Sequence, residues 1–235
     1  MHICFLDIDG TLVLTGGAGQ TAFARTLAED FGIEKVDGTV AFAGRSDRAI
    51  AMDLFRSHGL PTTSENWQRF CVGYLARLDH ALESHEGHVL PGVFGFLAAL
   101  ARRGDVALGL LTGNVREGAR RKLSYYGLWQ HFAFGGFGDE HLERCDIAAA
   151  ALAAARRHLD GQSQAERSQS AAPAEGRVLV IGDTRHDIDC GRSIGALCVA
   201  VPTGNTPADT LRAARPDVLV QTLEDVAPIL ALLHG

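Results

Sequence analysis

The stretch FLDIDGTLV, residues Phe5 to Val13, is an apolar run that stops at two aspartates one residue apart and then meets Gly10-Thr11. Residues two apart on a β-strand point to the same side, so Asp7 and Asp9 face the same way where the strand gives out. Like charges that close raise each other's pKa unless a cation intervenes. The pair is therefore either a solvated strand end or one wall of an acidic site. The other strand ends of the chain decide between the two.

Four more short apolar runs read as buried strands: VALGLLT ending at Thr112, VLVIGDT ending near Asp183, ALCVAV ending at Val201, and DVLV from Asp217. Each is bounded by Gly, Pro, Asp or Thr, as strands are. Helical patterns separate most of them. REGARRKLSYYG, from Arg116, closes on Gly127, and DIAAAALAAARRHL, Asp146 to Leu159, has its acid first and its bases last, which suits a helix dipole. Strands that alternate with helices and are apolar throughout predict an α/β fold, a doubly wound parallel sheet covered on both faces.

From about Thr15 to about Val89 the alternation stops. Three helical patterns follow one another there, GQTAFARTLAEDFG, SDRAIAMDLFRSHG and SENWQRFCVGYLARLDHALESH, with no strand read between them. The organisation predicted is a Rossmann-like core of residues 1–14 and 90–235 with a helical cap, 15–89, inserted after the first strand. Asp160 to Gly176 is rich in Ser, Gln, Ala and Glu and reads as an exposed loop.

Of the 235 residues, 46% are hydrophobic, enough for a core plus a smaller inserted unit. The formal charge is -6 and the basic residues are scattered, so no footprint for nucleic acid exists. No apolar stretch is long and clean enough to span a bilayer. Cysteines 4, 71, 145, 190 and 198 have no C-x-x-C spacing and are odd in number, which argues for a reducing compartment. Met1-His2-Ile3-Cys4 runs directly into the first strand without the regions of a secretory leader. These features predict a cytoplasmic protein.

In open α/β sheets ligands bind outside the carboxyl ends of the strands. Asp7 and Asp9, the turn Thr112-Gly113-Asn114, and Asp183 with Asp187 should therefore meet at one edge. Clustered carboxylates suit a hard divalent cation with oxygen ligands, Mg²⁺ above all. Thr112 supplies a hydroxyl, and Gly113 and Asn114 supply N–H groups before a helix, where anions bind. A transferring phosphoryl group also needs a basic residue. Arg144 and Lys122 are the two candidates.

With these residues the chain resembles the haloacid-dehalogenase-type superfamily of aspartate-nucleophile phosphotransferases, and within it the phosphoglycolate-phosphatase-like hydrolases with a helical cap. The motifs are DIDGT, LLTGN, a basic residue near 144, GDTRHDI, GRSDRAI in the cap, and VPTGN, and they span nearly the whole chain. The resemblance implies that Asp7 is the nucleophile and Asp9 the general acid and base. It implies Mg²⁺ bound by Asp7 and Asp183 side chains and the Asp9 carbonyl, with Asp187 behind or at the metal. Thr112 would bond the phosphoryl oxygens, and Gly10 and Thr11 would shape the turn into the cap. The substrate implied is a small phosphomonoester, with a monomer or homodimer as the working form. Relatives carry Lys-Pro before the helix that leads to the metal-binding strand. This chain has EHLERCDIAAAAL there, so Arg144 is the positional match and Lys122 the other candidate.

Plainer roles compete. Asp183 could cap the next helix and Asp187 could complement its dipole. Arg144 could be a surface residue paired with Glu140 or Asp146. In the cap loop Ala43 to Asp47, Arg45 could meet a substrate carboxylate or sugar hydroxyl, or stand solvated beside a helix capped by Ser46 or Asp47. His80, His85 and His88 lack metal-ligand spacing. The main alternative function is a sugar-phosphate mutase of the beta-phosphoglucomutase type, using the same aspartates. A haloacid dehalogenase would leave Asp9 without a task. Phosphonate cleavage would need a cap lysine, and Lys35 has no supporting motif. A catalytically silent binding protein would not need intact Asp7, Asp9, Thr112 and Asp183.

Overall fold

After His2, the four residues Ile3, Cys4, Phe5 and Leu6 are all buried. Cys4 and Leu6 enter one apolar layer and Ile3 and Phe5 the other. A strand apolar on both sides must be covered on both, and it lies in the middle of its sheet. The computed structural model describes residues 1–34, 40, 42, 44–139, 141–166 and 176–234. Lys35, Ala43 and Glu140 lie outside the described residues.

The chain begins with β1 (His2–Leu6), β2 (Val13–Leu14), α1 (Ala18–Phe31), α2 (Asp47–Ser57), α3 (Ser64–Ser84) and β3 (His88–Val89). It continues with α4 (Val93–Arg103), β4 (Val106–Leu111), α5 (Arg116–Tyr125), β5 (Phe134–Gly136) and α6 (Arg144–Glu166). It closes with β6 (Val178–Gly182), α7 (Arg185–Ser193), β7 (Leu197–Ala200), α8 (Ala208–Ala213), β8 (Val218–Leu219) and α9 (Val226–Ala231).

Six strands form one sheet in the order β5-β4-β1-β6-β7-β8, every neighbouring pair parallel. Phe96, Leu97 and Leu100 of α4 and Leu123 of α5 pack on one face. Ile147, Ala148, Ala151 and Ala155 of α6 pack on the other. The doubly wound α/β sheet is thus the fold of the protein. No helix among the described residues is long and apolar enough to cross a membrane.

The structure corrects the sequence reading in three places. β5 was not expected: Phe-Gly-Gly offers no run of strand formers. Its glycines are there because α6 presses close, and a β-carbon on Gly136 would strike the Ile147 carbonyl. β2 and β3 pair antiparallel at the two ends of the helical insertion, and β3 lies within the stretch read as strandless. Two-residue strands leave no periodic trace. α6 runs on to Glu166, so the loop read from Asp160 begins as helix, and residues 167–175 lie outside the described residues.

Between β2 and β3 the three helices bury an apolar cluster of their own. Phe23 and Leu27 of α1, Leu54 and Phe55 of α2, and Phe70, Tyr74 and Leu78 of α3 are its centre. The spacing of Phe70, Tyr74 and Leu78 is the four-residue step that keeps side chains on one helix face. Phe70 touches Phe23, Phe55, Trp67 and Tyr74 ring to ring. Phe70→Ala is expected to cost about 3–5 kcal/mol, seen as a lower urea midpoint. Val72→Ala, on the exposed side of the same helix, is expected to stay within about 0.5 kcal/mol of the parent.

Candidate active site

Leu6 of β1 is level with Leu110 of β4 and Ile181 of β6. The residues just beyond therefore emerge together, and these are Asp7, Thr112 and Asp183. Past Asp9 the chain doubles back, with Gly10 N–H donating to Val13 O at 2.9 Å and Val13 N–H to Ile8 O at 3.1 Å. Gly10 has φ +86° and faces Asp183, whose carboxylate a β-carbon would strike. Gly204, after β7, is cleared for the same carboxylate. Thr203 Oγ1 ties the two segments by donating to Gly10 O at 2.7 Å.

Arg144, the first residue of α6, is buried between Asp7 and Asp187. Nη2 lies 3.7 Å from Asp7 Oδ2 and bonds Asp187 Oδ1. Burial alone would lower its pKa, but Asp7 and Asp187 outweigh that and keep it charged. Its Nε is buried with no acceptor among the described residues. Asp187 also closes a capping box on α7, accepting from Thr184 N–H at 3.0 Å and Thr184 Oγ1 at 2.6 Å. Thr184, not Asp183, is thus the cap of that helix. The surface role weighed for Arg144 is excluded by its burial.

Asp9 has a separate cation. Lys122 Nζ, from α5, donates to Asp9 Oδ1 at 3.0 Å, Asp9 Oδ2 at 2.8 Å and Asn114 Oδ1 at 2.6 Å. Asn114 Nδ2 donates to Asp9 Oδ2 at 2.8 Å and to Thr112 Oγ1 at 2.9 Å. Lys122 is buried; that alone would lower its pKa, yet Asp9, Tyr74 and Asp47 hold it charged.

The fourth wall comes from the helical unit. Ser46 caps α2 by accepting from Ala49 N–H, and its hydroxyl donates to Leu142 O at 2.9 Å. Asp47 N–H donates to Gly113 O at 2.8 Å, and Asp47 Oδ2 accepts from Val115 N–H at 2.9 Å. Arg48 Nη1 donates to Asp139 O at 3.1 Å. Burial pushes the Asp47 carboxyl up to about 6, against the pull of Lys122 and the Val115 N–H. Arg45 lines the opening and pairs with Asp53.

These residues surround a cavity of about 400 Å³. It brings together Asp7, Asp9, Gly10, Arg45, Thr112, Gly113, Asn114, Lys122, Arg144 and Asp183. Thr11 and Asp187 do not line it. Thr11 Oγ1 stands 3.4 Å from Asp183 Oδ1, and Asp187 backs Arg144. Sequence reasoning gave no site role to Asp47, Tyr74, Phe23, Gln20 or the Gly204-Asn205-Thr206 turn, all of which line the cavity. The last had a signal, since VPTGN follows a strand at the same sheet edge. Phe23 and Tyr74 come from helix faces indistinguishable from core, Asp47 read only as a helix cap, and Gln20 carried no signal.

The family model for haloacid dehalogenase-like hydrolases matches residues 4–148, and a HAD-hydrolase-like model matches residues 146–226. A phosphoglycolate phosphatase of Synechococcus elongatus is 30% identical over 234 residues, covering 96% of this chain and 95% of that protein. Among solved structures, a hydrolase from Pseudomonas syringae superposes with TM-score 0.71 at 20% identity, over 100% of this chain and 99% of the other. A Thermotoga maritima protein assigned as a beta-phosphoglucomutase gives TM-score 0.61 at 19% identity, over 99% and 100% of the two chains.

Carboxylate oxygens of Asp7, Asp183 and Asp187 lie within 4.8 Å of one another, all buried. Burial raises Asp7 to about 7, with Arg144 opposing and Asp187 adding to the rise. Burial, then Asp187 and Asp7, raise Asp183 to about 8. One guanidinium, Arg144, stands against the carboxyls of Asp7, Asp187 and Asp183, so the ionised cluster keeps surplus negative charge, with Asp183 the member farthest from a cation's hydrogen bond. An all-oxygen set with surplus negative charge fits Mg²⁺. Without metal, both carboxyls hold protons more tightly folded than unfolded. That contribution is full below about pH 4 and is lost as pH rises through the folded values. The thermal midpoint in a chelator is expected to fall between about pH 5 and about pH 8.5. Excess Mg²⁺ is expected to raise it, most at the alkaline end; a midpoint indifferent to pH and Mg²⁺ would contradict this account.

Proposed function

This chain belongs to the haloacid dehalogenase-like hydrolase family, and we propose that it is a Mg²⁺-dependent phosphatase acting on a small phosphomonoester through a phosphoryl group carried on Asp7. The observation that supports this most is the convergence of Asp7, Arg144, Thr112 and Asp183 on one cavity at the sheet edge. Asp7 and Asp183, with the Asp9 carbonyl, would hold Mg²⁺, which when bound neutralises the carboxylates and draws charge from the phosphoryl oxygens.

Asp7 attacks phosphorus, the ester P–O bond breaks, and Asp9 gives its proton to the departing oxygen. Water then attacks the same phosphorus, Asp9 takes its proton, and Asp7 leaves as a carboxylate. Arg144 lines the cavity with Nη2 3.7 Å from Asp7 Oδ2, so its charge stands where a phosphoryl group on Asp7 would be held. Thr112 Oγ1 already accepts from Asn114, which leaves its own hydrogen for the phosphoryl group. Asp187, with both oxygens engaged, holds Arg144 and the start of α7.

Residues 15–89 act as the cap. Phe23, Tyr74 and Arg45 face the cavity from that side, excluding water and choosing the substrate. Arg45 already holds Asp53 through Nη2 and has further N–H donors for a second acidic group, which makes a phosphorylated small carboxylic acid, 2-phosphoglycolate first, the substrate to try. The free cysteines agree with a cytoplasmic setting.

Asp7→Asn is expected to cut phosphate release from 2-phosphoglycolate by at least about a thousandfold and to leave no acid-stable, base-labile phosphate on the protein. Chelation of Mg²⁺ is expected to do the same reversibly. Wild-type rates from either preparation would overturn the reading. Isomerised hexose phosphate without free phosphate would instead indicate transfer to a sugar hydroxyl.

A further inference from the structure

Two buried cations reach this cavity, and they differ in what they have left to give. Lys122 has three N–H donors. Two are on the carboxylate of Asp9 and one on Asn114 Oδ1, at 3.0, 2.8 and 2.6 Å. Asn114 returns to the same carboxylate through Nδ2, so lysine, amide and carboxylate close a ring. Arg144 makes no such ring and retains an unmet Nε–H.

The ring is built into the fold. Thr112 to Asn114 follow β4, and Lys122 stands eight residues beyond Asn114 on α5. The lysine head lies against Gly19 of α1, where a β-carbon would come within 3.1 Å of Nζ. Gly118, one turn before it, is bare against the Tyr74 ring. Lys122 thus fills the seam between core and helical unit, a place where a long side chain cannot swing freely. The Asp9 side chain is 43% exposed and has few neighbours of its own to fix it.

We propose that Lys122, with Asn114, is a positioning residue for Asp9 and does not hold the transferring phosphoryl group. The inference rests on the phosphatase reading, in which Asp9 hands a proton to the ester oxygen as the P–O bond breaks and the phosphoryl group passes to Asp7. The proton to be handed over stands on Asp9 Oδ1, which accepts one N–H where Oδ2 accepts two, and a carboxyl pinned on both oxygens is held at one place for that transfer. A phosphate oxygen would have to displace one of the three acceptors to reach Lys122.

The test is the dependence of kcat/KM on leaving group, since kcat/KM reports the steps through breakage of the ester bond. Lys122→Met keeps the length of the side chain and removes charge and donors. It is expected to lower kcat/KM for an alkyl phosphate by about a hundredfold, within the range of general acid catalysis, and for p-nitrophenyl phosphate by less than about fivefold. Its inhibition constant for inorganic phosphate is expected to stay within about threefold of wild type. In an Asp9→Ala background the same substitution is expected to cost nothing further. A uniform loss across leaving groups with weaker phosphate binding, an added loss in the Asp9→Ala background, or no loss at all would overturn the proposal. If Lys122→Met does not fold, Asn114→Ala removes the second holder of Asp9 and is judged by the same slope. A wild-type protein that releases phosphate from no ester would refute the phosphatase reading instead.

Discussion

Buried negative charge at the end of β1 is the constraint to which the rest of the site answers. Asp7, Asp183 and Asp187 are packed together under the sheet edge, and Asp9 stands two residues on from Asp7. Charges taken out of water are costly unless paired and hydrogen-bonded. The chain meets this with two separate cations. Arg144 lies between Asp7 and Asp187, and Lys122 lies on Asp9. Asp183 is left over, faced by two glycines and a distant threonine hydroxyl. Space and charge at that point both suit a small cation. The parallel sheet supplies the geometry, since strands in register deliver their last residues to one level.

The sheet and most of its helices were legible because their signals are local and repeated. Apolar runs bounded by turn residues mark β1, β4, β6 and β7, and the acids that end two of them mark the edge. β5 was not legible because its glycines answer to α6, a neighbour that lies beyond it in sequence. The choice between Arg144 and Lys122 could not be made from charge alone. Both are buried at the cavity, and they are distinguished by partners that come from other segments: Asp187 from α7, and Asp9 and Asn114 from two strand ends. Asp47 was legible as a cap but not as a buried carboxyl. Its partner is a backbone N–H at Val115, and no pattern in the sequence announces that pairing.

Asp47 matters because of where that backbone stands. Val115 precedes α5 and directly follows the Thr112-Gly113-Asn114 turn. The reciprocal bonds between Asp47 and residues 113 and 115 fasten the helical unit to the very turn that holds Thr112 and Asn114. Gly113 and Gly138 are bare at this contact, the first against the Arg45 carbonyl and the second against Gly113 and Ser46. Gly44 is bare against His186 on the far side. Backbone closes on this loop at Gly113 and Gly138 and the His186 side chain closes on it at Gly44, so the loop has one seated position. Seating it brings Arg45 over the opening and sets the turn beneath it. The helical unit and the chemistry therefore share a single piece of backbone. In the reaction proposed for this site, a substrate that fits the cap wall poorly would disturb the same turn that places Thr112 and, through Asn114, Asp9, and selection of the substrate and alignment of the reacting groups would then be one event.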